Sequence, residues 1–322
     1  MPGRWPHAAR WLFHHVGGLR LARWRNRNGL RILMYHRFAD AHALEAQCRH
    51  LRDHYRPLSL TAAANHLKTG KPLPPNSVVV TVDDGHRDFL EIAYPVFSSY
   101  QIPVTVYVVT DFLDRRLWLW VDQLRYAFQH TKLPKVRIEP ADGAVLQFDL
   151  GTEDRKNSAA RETCEALKLL RNEQRLAALA RLADWLQVQI PEQPPHGCEP
   201  LAWDEVRAMA RNGIEFGAHT RTHPVLSRVS SPAELTAEIA GSKRRIEEVL
   251  GSPVRHFCYP NGSKRDISPE AVEAVRQAGF DTAVTTESGL NAVGGDPFLL
   301  RRIGVDPGYA RDYFARCAAG VT

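Results

Sequence analysis

The stretch Ser77-Val78-Val79-Val80-Thr81-Val82-Asp83-Asp84-Gly85 decides the fold. Six mostly β-branched residues bounded by turn formers read as a short buried strand, and the strand ends on two carboxylates. A plausible helix follows from Phe89 to Tyr100, and a second β-branched run, Val104-Thr105-Val106-Tyr107-Val108-Val109, follows that. Strand, helix and strand in this order predict a parallel sheet. Outward from this unit, Arg31-Ile32-Leu33-Met34-Tyr35 reads as an earlier strand ending at His36. A helix over Trp203 to Arg211 and a strand at Ile214-Glu215-Phe216 resume the alternation further on. Ser231-Pro232-Ala233-Glu234 carries an N-cap serine, a proline at the first helical position and a glutamate at the third, a specific helix start. Further strands are expected at Val254–Tyr259, Asp281–Thr285 and Leu300–Val305. The strand ends keep delivering ionisable residues: His36, Asp83, Asp84, His219 and the loop after Tyr259. In a β/α barrel such ends share one face, where separated segments converge.

Between about 111 and 200 the pattern changes. A Trp-rich start (Trp118, Trp120) leads into a helical period through Leu167, Leu170, Leu176, Leu179, Leu182 and Leu186, which reads as a mainly helical insertion. The chain of 322 residues is then organised as a basic arm (1–29), one catalytic domain (30–308) carrying that insertion, and a short tail (309–322). An apolar share of 44% and a charged share of 24% exclude disordered and fibrous classes. No run approaches the roughly 18 apolar residues that span a bilayer. Five cysteines at scattered spacings argue against a disulfide framework and a thiolate zinc site. The net charge of +6 is concentrated at the start of the chain, where the arginines at 4, 10, 20, 23, 25, 27 and 31 meet no acidic residue within the first 31 positions. Such an arm suits anionic lipid headgroups or an acidic polymer, and beyond charge it carries no nucleic-acid recognition motif, so nucleic acid is not expected. Its apolar residues are broken by Arg and His, unlike a secretory leader. The expected location is the cytoplasm, peripheral at the inner membrane.

The chemistry centres on Gly217-Ala218-His219-Thr220-Arg221-Thr222-His223-Pro224. Histidines at i and i+4 share one face of a helical turn and can reach one metal ion, provided a carboxylate joins them. Asp83-Asp84 supplies it. Two adjacent carboxylates at a buried strand end repel one another unless a cation is near. One of them can bind metal with the histidines while the other acts on water as a base.

Thr81-Val82-Asp83-Asp84-Gly85 resembles the T-F-D-D-G motif of the polysaccharide deacetylase family (carbohydrate esterase family 4, NodB-like or chitin deacetylase-like), and His219-Thr220-Arg221-Thr222-His223 resembles its H-[ST]-x-x-H motif. The resemblance implies a distorted (β/α)7 barrel, with Asp83 as catalytic base and Asp84, His219 and His223 as ligands of a divalent metal, usually zinc, with Co2+ or Ni2+ as substitutes. His256-Phe257-Cys258-Tyr259-Pro260-Asn261-Gly262 resembles the family's groove motif R-P-P-[YF]-G. That likeness implies a backbone oxyanion donor at Asn261 and groove residues Tyr259 and Pro260. Cys258 stands where the pattern has Arg, so this position lacks the usual Arg-to-base contact. The family's C-terminal L-x-H motif, source of its general acid, is missing, since no His follows His256. Ile32-Leu33-Met34-Tyr35-His36 has the required form and resembles the circularly permuted exopolysaccharide deacetylases, which implies His36 as the acid. Leu300-Arg301-Arg302-Ile303-Gly304-Val305 resembles that subgroup's last strand, with no catalytic step assigned.

The implied reaction is metal-assisted removal of N-acetyl groups from amino sugars of a bacterial polysaccharide, oligosaccharide or lipid-linked glycan, giving acetate. The alternative is a catalytically silent glycan-binding module of an exopolysaccharide synthesis or export system, against which the full residue set speaks. Tyr259, Trp203, Trp118 and Trp120 are the candidates for stacking on sugar rings.

Overall fold

The computed structural model describes residues 17–141 and 143–321. Within it, β1 (Arg31–Tyr35), β2 (Arg56–Pro57), β3 (Ser77–Val82) and β4 (Val104–Val108) come first. A hairpin of β5 (Lys135–Ala141) and β6 (Ala144–Asp149) follows, and then β7 (Glu215–Ala218), β8 (His256–Cys258), β9 (Thr282–Val284) and β10 (Ile303–Gly304). The main sheet runs β10-β1-β3-β4-β7-β8-β9, every pair parallel, with β2 beside the start of β3. Its edges meet where Val284 bridges Leu300, through Leu300 N to Ala283 O at 3.0 Å and Thr285 N to Leu300 O at 2.8 Å. Seven strands thus curl into the expected distorted β/α barrel, closed on one side by a single bridge.

Alternation along each strand separates two apolar regions. Val78, Val80 and Val82 of β3, with Val104, Val106 and Val108 of β4, face the surrounding helices. Ile32, Val79, Tyr107, Cys258 and Val284 form a second cluster inside the barrel. Gly217 makes room for it, because a Cβ there would stand 2.5 Å from the Tyr107 ring and 2.8 Å from His256 O. The inward rows Ile32-Met34-His36, Val79-Thr81-Asp83 and Glu215-Gly217-His219 each end on an ionisable side chain at the strands' C-terminal rim.

The helix Pro232–Leu250 starts where expected, with Ser231 Oγ accepting from Glu234 N at 3.3 Å. The helix expected over 89–100 opens as a π turn, Phe89–Ala93, before the α-helix Tyr94–Ser99. Pro95 in its first turn has no N–H to give to Glu91, so the regular ladder cannot run through. Residues 120–186 pack around an apolar cluster of their own, including Trp120, Leu124, Phe128, Ile138, Leu167, Leu182 and Leu186. This segment is mainly helical, as its periodicity suggests, with one addition. It contains the β5–β6 hairpin, and the leucine period is divided among helices Glu153–Leu167, Asn172–Ala180 and Leu182–Leu186. The basic arm up to residue 16 lies outside the described residues, and its continuation forms the helix Gly18–Arg25. Among the described residues no helix is long and apolar enough to cross a membrane.

Candidate metal centre and catalytic cleft

The rim residues gather in a cavity of about 310 Å³ that holds His36, Asp83, Asp84, His219, His223, Tyr259 and Asn261. Neighbours on a strand point to opposite faces, yet Asp83 and Asp84 reach the same cavity. The backbone turns left-handed at Asp84 (φ 76°) and Gly85 (φ 81°), beyond the end of β3. A Cβ at Gly85 would also press on Val108 at 3.0 Å.

Asp84 Oδ1 lies 3.5 Å from His219 Nε2 and 3.6 Å from His223 Nε2. His219 Nδ1 bonds the Cys258 carbonyl at 2.7 Å. A carbonyl only accepts, so Nδ1 carries a proton and Nε2 is the ring nitrogen turned towards Asp84 and His223. One carboxylate and two imidazoles converging in this way fit a divalent cation such as zinc. The two histidines do not share a helical turn, as their spacing suggests. Both follow the end of β7 in a loop with positive φ at Thr220 (66°) and His223 (59°). Buried Glu238 fastens that loop, accepting from Arg221 N and Thr222 N at 2.9 Å each and from Thr222 Oγ1 at 2.7 Å. Burial pushes the Glu238 carboxyl up against these bonds. Thr220 Oγ1 accepts from His223 N at 3.0 Å, and Trp120 Nε1 donates to His223 O at 3.1 Å. Burial, reinforced by the charge of His219, drives the His223 imidazole down to about 3, so it is held as a neutral ligand.

Asp83 is fixed differently. Arg302, fully buried inside the barrel, meets it with two parallel bonds, Nη1 to Oδ1 and Nη2 to Oδ2, both 2.7 Å. The same guanidinium donates to Thr285 O at 2.8 Å and to Thr81 Oγ1 at 3.2 Å, and it lies 3.2 Å from Cys258 Sγ. Burial alone would raise the Asp83 carboxyl, but the Arg302 charge outweighs it, with His36 and His219 adding to the effect, and holds it below the usual range. Asp84 goes further down, because its bond to His219 and the neighbouring histidine charges outweigh burial. Asp83, His219 and Cys258 also stand close enough to share an ion. Arg302 already supplies a cation to Asp83 and Cys258, so the metal-type set is Asp84, His219 and His223.

The expectation that the base lacks an arginine is therefore corrected. Cys258 is small, and the guanidinium arriving from just before β10 fills the space beside it. The chain does not mark Arg302 in advance, because Arg301 and Arg302 stand side by side and only the inward row distinguishes them. His36 Nε2 lies 3.6 Å from Asp83 Oδ2, with the imidazole 45% exposed. Asn261 sits at φ 60° on the rim, and its backbone N–H has no partner among the described residues. Tyr259 and Pro260 are buried; the Tyr259 ring stands edge-on to Phe257 and presents no open face. Trp118 and Trp120 are buried as well, and Trp203 lies under Arg245. None of the four aromatic candidates offers a stacking platform.

The segment 111–200, set apart by its sequence, also lines the cavity through Leu119, Val121, Asp122, Arg125, Cys164 and Lys168. Asp122 Oδ2 meets buried His86 Nε2 at 2.8 Å, directly behind the Asp-Asp-Gly turn.

The family model for polysaccharide deacetylases matches residues 137–283, which include both histidines and leave Asp83-Asp84 outside the matched stretch. YxkH of Bacillus subtilis is 20% identical over 88% of this chain and 74% of its own length. The poly-beta-1,6-N-acetyl-D-glucosamine N-deacetylase of Escherichia coli K12 is 28% identical over 77% of this chain, which spans only 31% of that protein. Among solved structures, the deacetylase PplD of Streptococcus pyogenes (TM-score 0.59, 18% identity) covers 91% of this chain and 99% of its own. IcaB from Ammonifex degensii (0.59, 20%) covers 91% and 97%. At these identities the two structures establish the shared fold.

Proposed function

We propose that this chain, which belongs to the polysaccharide deacetylase family, hydrolyses N-acetyl groups on amino sugars of a bacterial glycan and releases acetate. The observation that carries the proposal is the pairing of two unlike sites in one cavity: Asp84, His219 and His223 converge on a point fit for zinc, and the Arg302-clamped Asp83 stands beside them with His36. A zinc ion bound there would polarise the acetyl carbonyl and acidify water. Asp83, kept ionised by Arg302, takes the proton from the attacking water. The Asn261 N–H donates to the oxygen that gains charge as water adds to the carbonyl carbon. His36 gives its proton to the sugar nitrogen as the C–N bond breaks, because an unprotonated amine leaves poorly. Water is consumed, and acetate and a free amino sugar are produced.

Purified, zinc-loaded chain is expected to release acetate from N-acetylglucosamine oligomers. No acetate from oligomers, polymers or small acetylated esters would refute the reading. His36→Ala is expected to slow release by about 10²–10⁴-fold, and unchanged turnover would remove His36 from the acid's place.

The basic arm is proposed to rest on an anionic membrane surface. Leu21 and Trp24 stand 64% and 62% exposed on the helix Gly18–Arg25 beside Arg20 and Arg25, a mix of apolar and cationic side chains suited to a headgroup layer. Sedimentation with phosphatidylglycerol vesicles, lost on Trp24→Glu, is the expected result; equal sedimentation of both forms would exclude the helix.

A further inference from the structure

The catalytic cavity does not end at its rim. It continues into a second cavity of about 540 Å³ along the helices Trp120–His130 and Glu153–Leu167, sharing Val121, Arg125, Cys164 and Lys168 with the first. The wall of this cleft is basic. Arg37 bonds Asp88 at 2.7 Å, and Arg125 meets Asp122 at 3.2 Å. Lys168 and Arg265 divide Glu165 between them at 2.7 Å each, and Arg161 reaches no carboxylate among the described residues, only Ser158 Oγ at 3.5 Å. The lining cations Arg37, Arg125, Arg161 and Lys168 therefore face three carboxylates, Asp88, Asp122 and Glu165, while Arg265, outside the lining, shares Glu165 and also meets Asp266 at 3.9 Å. The cleft floor does not absorb the excess, since Asp83 is matched by Arg302 and Asp84 belongs with the two histidines to the set fit for a divalent cation.

A cleft for a neutral sugar chain is expected to show aromatic faces and neutral hydrogen-bonding groups. Here the lining ring of Tyr259 is buried, and the exposed lining groups include the guanidiniums of Arg125 and Arg161, with that of Arg37 half-buried. Arginines without a full carboxylate partner bind phosphate or carboxylate through charge-assisted bonds, and they repel nothing on a glycan that carries such groups.

Resting on the deacetylation reading above, we propose that the substrate is an anionic glycan, with a phosphate or carboxylate near the N-acetyl sugar bound along Arg125, Arg161 and Lys168. The segment 111–200 is then the specificity wall of the enzyme. The anion has two sources that share this chemistry: a uronic acid within the chain, or a phosphate joining the sugar to a carrier.

Three probes separate the possibilities: a neutral N-acetylglucosamine hexamer, a hexasaccharide alternating glucuronate with N-acetylglucosamine, and N-acetylglucosamine joined through diphosphate to a short isoprenoid. Binding to the full chain is measured by calorimetry, and acetate release from the zinc-loaded chain is followed in parallel. One anionic probe is expected to bind about ten-fold more tightly than the neutral hexamer at low salt, with the advantage shrinking as salt rises. Which probe gains identifies the source. The advantage is expected to vanish in Arg161→Glu/Lys168→Glu and to fall in Arg161→Gln, at an exposed helix position. Equal affinity for all three probes, or an advantage that survives the charge reversal, overturns the proposal even where acetate is released. Charge-dependent binding without acetate from any probe upholds the anionic cleft and removes the deacetylation reading instead.

Discussion

Arg31 and Arg302 are both fully buried at the barrel strands, and they differ in what they face. Arg31, at the first residue of β1, donates to three neutral carbonyls: Ala318 O at 2.7 Å, Gly29 O at 3.0 Å and Asn26 O at 3.1 Å, with the Tyr55 ring 5.2 Å away. It ties the helix near each terminus to the start of the barrel, and burial lowers its pKa. Arg302 meets a carboxylate, and although burial opposes its charge, Asp83 raises its pKa well above the usual value. In the first case dipoles hold a cation in place. In the second, two charges fix each other's ionisation at the rim of the cavity. Burial of an arginine therefore says nothing about its role until its partner is known.

Removal of the Arg302 partner has the largest expected effect. Asp83→Asn is expected to lower kcat/KM by about 10²–10⁴-fold, the range for a lost general base, while zinc binding persists; retained turnover would deny Asp83 its place. Next comes the clamp. In Arg302→Met the carboxyl loses the charge that lowers it, so its pKa rises and the acid limb of the kcat/KM profile moves to higher pH, with a fall of about 10–100-fold at neutral pH. A merely structural arginine would leave that limb in place. The same linkage gives the wild type a stability contribution that is present above the unfolded carboxylate value and lost as pH falls through the depressed folded one.

Arg31→Met sharpens the contrast from the other side. Three carbonyls lose a charged donor, which costs about 2–5 kcal/mol of stability, while the acid limb stays where it is. A shift in that limb would erase the distinction between the two arginines. The smallest expected effect lies near Arg31, where buried His50 packs against His54, Tyr55 and Phe314 and has its pKa lowered to about 4, chiefly by burial. The folded chain keeps it neutral, whereas the unfolded chain takes up a proton below about 6.5. The thermal midpoint should decline as pH falls from about 6.5 to 4, less steeply in His50→Leu; equal slopes would free His50 of that part.

Much of this was legible in the chain. The strands β1 and β3, the helix Trp203–Arg211 and the Ser231 cap follow from β-branched runs, helical periodicity and cap chemistry, which are local signals. The rim residues follow from their positions at strand ends. Arg302 and Asp122 escape because their roles depend on partners 219 and 36 residues away. The β5–β6 hairpin escapes because the apolar alternation of Val136 and Ile138 is short and lies beside a stronger helical period. The histidine pair shows a further limit, since i and i+4 suits a helical turn as well as a loop set by left-handed residues and Glu238.

The central claim is that Asp84, His219 and His223 form a zinc site on which deacetylation depends. Chain stripped of metal and titrated with zinc tests it directly, with bound metal and acetate release from N-acetylglucosamine oligomers followed together. Activity is expected to rise in step with one bound zinc per chain, and His219→Ala to lose both tight binding and about a thousand-fold or more of the activity. Acetate release that is undiminished in the stripped chain, or in His219→Ala, would contradict it.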